Sequence, residues 1–227
     1  LNSSMVSKVT QANITEGINW MQEHKLKKRT GKKCNFKQTV ELQVGLKDYD
    51  PKKDKRFAGS VRLPHVPREN LKICLIADAK HQEEAKNAKL NIDVTDLDTL
   101  KKFNKDKKVV KNWAKQYSVL LATDSLIKKI PVVLGPTLNR IGMFPQVVSH
   151  DTPLHVKVND TRASIKFQLK KVTCMSVAVG NEEMTEEELR QNITMAQNFL
   201  VSLLKKGWHN VKTINIKTTQ GRPYKLL

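Results

Sequence analysis

Apolar and polar positions follow one style at both ends of the chain and another in its middle. Residues 5–26 carry Ile14, Ile18 and Met21 at helical spacing, which predicts a helix running into a basic segment closed by Gly31. In KQTVELQVGL, Val40, Leu42 and Val44 alternate with Thr39, Glu41 and Gln43, the pattern of a strand with one dry face. The turn-rich DYDPKKDKRFAG leads to a second short strand, SVRLPHV, and Pro64 and Pro67 then interrupt regular structure.

From Leu71 the style changes to short, wholly apolar runs separated by polar helical stretches: KICLIAD, a helix to Leu90, NIDVTD, a Lys-rich helix through Trp113, and SVLLATD. Strands without polar alternation are buried on both faces, as in a parallel sheet between helices. This block ends near HDTPLHVKV, and alternation then returns with Ile165, Phe167 and Leu169, and again in CMSVAVG and VKTINIKTT. Between the last two lies a helix announced by a capping box, Thr185 and Glu188. Its apolar face runs through Leu189, Ile193, Ala196, Leu200 and Leu203 until Lys205, Lys206 and Gly207 close it.

The expected fold is therefore α/β in two domains. Residues 1–64 and 158–227 form a split α+β domain, an antiparallel sheet with helices. Residues 65–157 form an inserted, doubly wound, Rossmann-like α/β domain whose two Pro-bearing connections make a hinge. No apolar run approaches the roughly 20 residues that span a bilayer, and the start lacks the layout of a secretory signal. These features predict an intracellular protein, with MVSKV from Met5 reading as a natural start after a short leader. Cys34, Cys74 and Cys174 lie far apart without a CxxC pair and read as buried thiols.

The chain is strongly basic. Lys and Arg number 41 against 22 Asp and Glu, a net of +19, and the excess is spread: 14 − 6, 16 − 10 and 11 − 6 over residues 1–64, 65–157 and 158–227. Such an excess resists compaction unless an anionic partner offsets it, and nucleic acid is the commonest such partner. The runs KLKKRTGKK and DPKKDKR flank the first strand, and the second supplies Lys52, Lys53 and Arg56 as candidate contacts.

Catalytic chemistry finds little support. LGPTLNRIGMFP, with Gly135 and Gly142 after the apolar run IPVVL, suggests a phosphate-holding loop after a strand. A dinucleotide loop, however, needs GxGxxG directly after the first strand, and AKHQEEAKN there has no glycine. The chain has no Walker loop, GxSxG or HExxH, so LGPTLNRIGMFP reads as an irregular, turn-rich segment. His150 and His155 beside Asp151 lack the further ligands a metal requires. The glutamates of EEMTEEEL are explained by the helix dipole and cap. No catalytic residue, metal or cofactor is expected, nor a small-molecule substrate or membrane contact.

Aromatic content narrows the kind of nucleic acid. Single strands are read by stacking on rings, but this chain has only Trp 3, Tyr 3 and Phe 6, and the polar face of its sheet shows Lys, Gln and Thr. Folded, largely double-helical RNA, recognised through phosphates and 2′-hydroxyls, fits better. The terminal TTQGRPYK suits it: Thr218 and Thr219 donate or accept, Gly221 admits a close backbone approach, and Arg222 and Lys225 bring charge.

Four segments in this order and spacing, FKQTVELQVGL, DPKKDKRFAGSVRLPH, LGPTLNRIGMFP and IKTTQGRPYKL, resemble the ribosomal protein L-one family in its eukaryotic form, also called L-ten-a. The resemblance covers essentially the whole chain after Met5. It implies a split and an inserted domain at the base of the mobile stalk of the large ribosomal subunit, beside the exit site, with the split domain gripping folded rRNA. The family's strand-opening phenylalanine corresponds to Phe36, followed by Lys37, Thr39 and Glu41. Its Thr-Met-Gly element corresponds to Thr219, Gln220 and Gly221, with Gln in place of Met. Lys166, Lys170 and Lys171 lie where the family also approaches RNA, and Arg140 is the candidate of the inserted domain.

The implied partners are stalk rRNA, exit-site tRNA transiently, and other ribosomal components, in the cytoplasm with assembly in the nucleolus. The stalk is expected to swing as deacylated tRNA leaves, so the predicted function is a non-enzymatic ribosomal constituent that assists this release. A nucleolar assembly factor of the same fold and a nucleotide-dependent enzyme on the inserted domain are the alternatives.

Overall fold

The structure is a computed structural model that describes residues 8–24, 36–54, 56–68, 70–88, 90 and 92–227. Its contacts divide the chain into two units, Leu1–Arg68 with Ala163–Leu227, and Glu69–Arg162. The chain begins with α1 (Gln11–Glu23), β1 (Thr39–Leu46) and β2 (Ala58–Arg62). Its middle runs β3 (Ile73–Ile76), α2 (Ala79–Asn87), β4 (Asp93–Thr95), α3 (Leu97–Lys101), α4 (Lys107–Ala114), β5 (Val119–Thr123), α5 (Asp124–Ile127), α6 (Ile130–Leu134), α7 (Thr137–Ile141), β6 (Gln146–Val148) and α8 (Leu154–Ala163). It closes with β7 (Ser164–Gln168), β8 (Cys174–Asn181), α9 (Glu186–Leu203), a 3₁₀ turn at Gly207–Asn210, β9 (Val211–Thr218) and β10 (Tyr224–Lys225).

In the first unit, β10, β9, β1 and β8 form an antiparallel sheet in that order, and β2 pairs with β7 in a separate two-stranded sheet. The alternation in β1 does what its period requires. Val40, Leu42, Val44 and Leu46 are buried in one cluster with Ile14, Ile18 and Met21 of α1 and with Leu189, Ile193 and Leu200 of α9. Each such side chain contributes about 1.5–3 kcal/mol by leaving water. Thr10 sets the start of α1, its Oγ1 accepting from Asn13 N at 3.3 Å, so the helix begins six residues later than the apolar spacing alone suggests. The expected continuation to residue 26 and the closure at Gly31 lie outside the described residues.

The start of α9 is fixed as its sequence predicts. Thr185 Oγ1 accepts from Glu188 N at 3.4 Å, and Glu188 Oε2 accepts from Thr185 N at 2.9 Å. The Thr185 backbone N–H, and after it the Thr185 hydroxyl, hold the Glu188 carboxyl below the usual carboxylate range.

The second unit is a parallel sheet in the order β4, β3, β5, β6. All four residues of β3 are buried, and they serve two cores in alternation. Cys74 and Ile76 join Leu100, Val110 and Leu134 on one face, while Ile73 and Leu75 join Ala85, Leu154 and Val158 on the other. Helices on both faces of an open parallel sheet are the doubly wound arrangement, and the expected mixed α/β fold class holds.

Several local expectations change. IPVVL is the short helix α6 rather than a strand, because Pro131 suits a first helical turn and a five-residue apolar run carries no period of its own. The Lys-rich helix is broken in two by Asn104 and Lys105, both at positive φ. The strand placed at SVRLPHV lies earlier, at Ala58–Arg62. Cys74 is buried, and burial pushes its thiol up to about 11, but Cys174 is exposed at the head of the edge strand β8, and Cys34 lies outside the described residues. Cysteine preference for interiors does not decide an edge position.

Gly135 and Gly142 build no phosphate loop. Gly142, at φ 80°, ends α7, its N–H reaching Asn139 O while Met143 N reaches Leu138 O at 3.1 Å. A Cβ on either glycine would meet nothing within 4 Å, so the positive φ alone explains the residue.

Candidate RNA interface

The start of β1 and the end of β9 are neighbours, with Val40 opposite Thr218 and Glu41 opposite Lys217. Here the chain after β9 folds back onto β1 and is bound to it by side chains. Thr219 Oγ1 accepts from Thr39 N at 3.1 Å and lies 3.3 Å from Thr39 O, while Gln220 N donates to Gln38 Oε1 at 3.2 Å. Gln38 is buried and is itself fixed to the far end of β8, its N donating to Glu182 Oε1 at 3.2 Å and its O accepting from Glu182 N at 3.0 Å.

Within the loop, Gly221 N donates to Thr218 Oγ1 at 3.0 Å and approaches Thr218 O at 3.2 Å. A Cβ at position 221 would lie 2.2 Å from that same Oγ1, so only glycine closes this turn. One expected role shifts as a result. Thr218, only 1% exposed, spends its hydroxyl bracing the loop by accepting from the Gly221 N–H. What Gly221 presents outward is the absence of a side chain.

The surface around this loop gathers most of the predicted contacts. Phe36 is 46% exposed just before β1. Lys37 is paired with Glu183 at 2.5 Å, and Glu41 accepts from Ser176 Oγ at 2.9 Å. Thr219, Gln220 and Arg222 are exposed. Strand register adds residues the sequence reading left out. The sheet face opposite the core carries Thr39, Glu41 and Gln43 of β1, Ser176 of β8 and Asn215 and Lys217 of β9, a polar platform without a ring. The signal was present in the alternation of INIKT, where Asn215 and Lys217 fall out of phase with the buried Ile214 and Ile216.

A second basic group stands at the other end of β1, about 24 Å away at roughly 3.4 Å per residue. Lys52, Lys53 and Arg56 occupy the turn after β1, where Arg56 Nε donates to Pro51 O at 3.3 Å. Lys170 and Lys171 follow β7 beside them, because Leu169 N donates to Phe57 O at 3.0 Å and Leu46 N to Thr173 O at 2.9 Å. Buried Asn210 anchors this end, its Nδ2 donating to Lys47 O at 3.1 Å and its Oδ1 accepting from Lys206 N at 2.9 Å. Lys205 donates to Asp54 at 2.8 Å, holding that carboxyl below the usual range. Lys166 points outward from β7 opposite Ser60. The candidates thus form two clusters, with Lys166 on the separate two-stranded sheet. Arg140 is exposed in the last turn of α7, in the second unit.

Hydroxyls, amides and cations on a rigid sheet suit phosphate and 2′-hydroxyl contacts. Among the described residues no group of three or more His, Cys, Asp and Glu side chains could hold a metal ion. His150 instead stacks on His81 with ring centroids 4.2 Å apart. No described helix is long and apolar enough to cross a membrane.

Residues 23–222 match the profile of the Ribosomal protein L1p/L10e family. The chain is 55% identical over 199 residues to the large ribosomal subunit protein uL1z of Arabidopsis thaliana, covering 88% of this chain and 91% of the relative. It is 49% identical over 222 residues to uL1 of Drosophila melanogaster, covering 98% and 100%, and 50% identical over 221 residues to uL1A of Schizosaccharomyces pombe, covering 97% and 100%.

Proposed function

Since the chain belongs to the ribosomal protein L1p/L10e family, we propose that it is a structural, rRNA-binding constituent of the large ribosomal subunit. In this reading its first unit holds the folded stalk rRNA near the exit site, and the protein assists the release of deacylated tRNA. It makes and breaks no covalent bond. The observation that carries the reading is the loop 219–221 tied to the start of β1. Two pairs of residues about 180 positions apart in sequence, Thr39 with Thr219 and Gln38 with Gln220, are fastened side chain to backbone into one rigid edge beside Phe36, Lys217 and Arg222. Preorganised polar edges of this kind lose little entropy on meeting an RNA backbone.

The RNA lies along the polar face of the sheet, with the cations at 52, 53, 56, 170 and 171 meeting phosphates at its far end. The second unit contributes charge of its own, 16 basic against 10 acidic residues over 65–157, and serves as a separate domain that follows the stalk. Localisation to the ribosome follows from this role, with assembly into precursor particles in the nucleolus.

Sedimentation of a cell extract tests it. The tagged protein is expected in translating polysomes and in free large subunits. Confinement to precursor particles would instead favour an assembly factor, and calorimetric binding of ATP or NAD by the isolated protein would favour an enzyme.

A further inference from the structure

The first unit carries a groove that the rRNA reading does not use. It has a volume of about 740 Å³ and lies between β2 and the outer face of α9, with Val61, Pro64, Met195 and Phe199 as its apolar lining. Met195 is 40% exposed, although it stands on the best-formed helix of the unit. The walls are fixed. Buried Asn192 of α9 accepts from His65 N at 3.2 Å and donates to His65 O at 3.0 Å and Val179 O at 2.8 Å, fastening the segment after β2 to the helix.

Among the described residues β2 has one strand neighbour, β7. It pairs with β7 through its odd-numbered residues, as Leu63 N donating to Ala163 O and Leu169 N donating to Phe57 O at 3.0 Å each show. In an antiparallel ladder the intervening residues turn their backbone groups the other way. The N–H and C=O of Ala58 and Ser60 therefore point to the open edge. No residue of β7 lines the groove, whereas Arg62, in the same outward phase as Ala58 and Ser60, does.

The ionised residues of the lining, Arg62 and Arg190, are both cationic, and Arg190 also pairs with Glu187 at 3.2 Å. Gly59 lets β2 press against the helix, since a Cβ there would meet Leu203 and Phe199 at 2.9–3.1 Å.

We propose that this groove docks an extended peptide segment of a partner protein, with apolar residues alternating with Asp or Glu, added as a third strand beside β2. The open edge supplies main-chain bonds, the pocket around Met195 and Phe199 takes an apolar side chain, and the arginines meet the carboxylates. RNA matches neither the apolar lining nor the strand edge. The proposal stands apart from the rRNA reading and does not depend on it.

A random dodecapeptide display library selected against the whole protein tests the proposal. The expected peptides alternate apolar residues with Asp or Glu. Bound to the protein, the best of them shifts the Met195 methyl resonance. Ser60→Pro removes an outward N–H without touching the β7 ladder, and Arg62→Glu reverses one wall. Each is expected to weaken that peptide at least about tenfold in fluorescence anisotropy with the melting temperature kept. Selection that yields no binder, peptides unaffected by both variants and silent at Met195, or displacement of the peptide by an equal concentration of dodecauridine would overturn the proposal, the last in favour of RNA.

Discussion

Replacing Gly221 by alanine puts one methyl group where the loop has no room. The new Cβ would lie 2.2 Å from Thr218 Oγ1, 3.4 Å from Thr218 Cβ and 3.6 Å from Thr218 N. Comfortable carbon–oxygen contacts start near 3.3 Å, so one side must yield by about 1 Å. If the Thr218 hydroxyl rotates away, its bond to Gly221 N is lost, at about 1 kcal/mol. Should the loop move instead, the Gln220–Gln38 and Thr39–Thr219 bonds stretch, each again worth about 0.5–1.5 kcal/mol. Either route misplaces the edge proposed to meet RNA, and 1.4–2.8 kcal/mol of lost binding is roughly a 10- to 100-fold rise in Kd. Filter binding to a stalk rRNA fragment measures it, with thermal unfolding as the control for an intact core. Thr218→Ala removes both the brace and the obstacle, so the double variant should bind within about threefold of Thr218→Ala alone, a clear departure from additivity. Gly221→Ala binding within twofold of the unaltered protein, or losses that simply add, would refute the tight-turn argument.

Two further predictions address other parts of the molecule. Lys170→Ala with Lys171→Ala should weaken stalk rRNA binding and lower the slope of log affinity against log salt by roughly one to two, as measured by titrations at several ionic strengths; an unchanged slope would remove the far basic cluster from the interface. His81 is buried, with its Nδ1 2.9 Å from Thr123 Oγ1, and burial followed by the neighbouring His150 holds its pKa below the ordinary imidazole value. Its contribution to stability is therefore complete above about pH 6.5 and lost as pH falls through the lowered folded value. The melting temperature should drop between about pH 7 and pH 5, and His81→Gln should flatten that drop; an identical pH profile in the variant would contradict the assignment.

Strict periods were legible in the sequence. β1 and β7 alternate, β3 is an unbroken apolar run and β5 is one up to Thr123, and α9 carries both a period and a capping box, so their positions followed from local rules. IPVVL was misread because five apolar residues fit a strand and a helical turn alike, and only Pro131 distinguishes them. β6, three residues with one buried, is set by its parallel pairing with β5 and has no pattern of its own. The candidate contacts Thr39, Thr219 and Gly221 could be named from residue chemistry and family likeness. Their mutual fastening could not, because it depends on Gln38 and Gln220, 182 positions apart, meeting through strand register. For the same reason the division of the lysines into two clusters emerges only from the pairing of β1 with its neighbours.

A cationic and ring-poor surface that grips folded rRNA mainly through its phosphates must show it in the salt dependence of affinity for a stalk rRNA fragment. With about six phosphate contacts, binding should fall on the order of a thousandfold between roughly 50 and 200 mM salt. A Kd that stays nearly level over that range would contradict it.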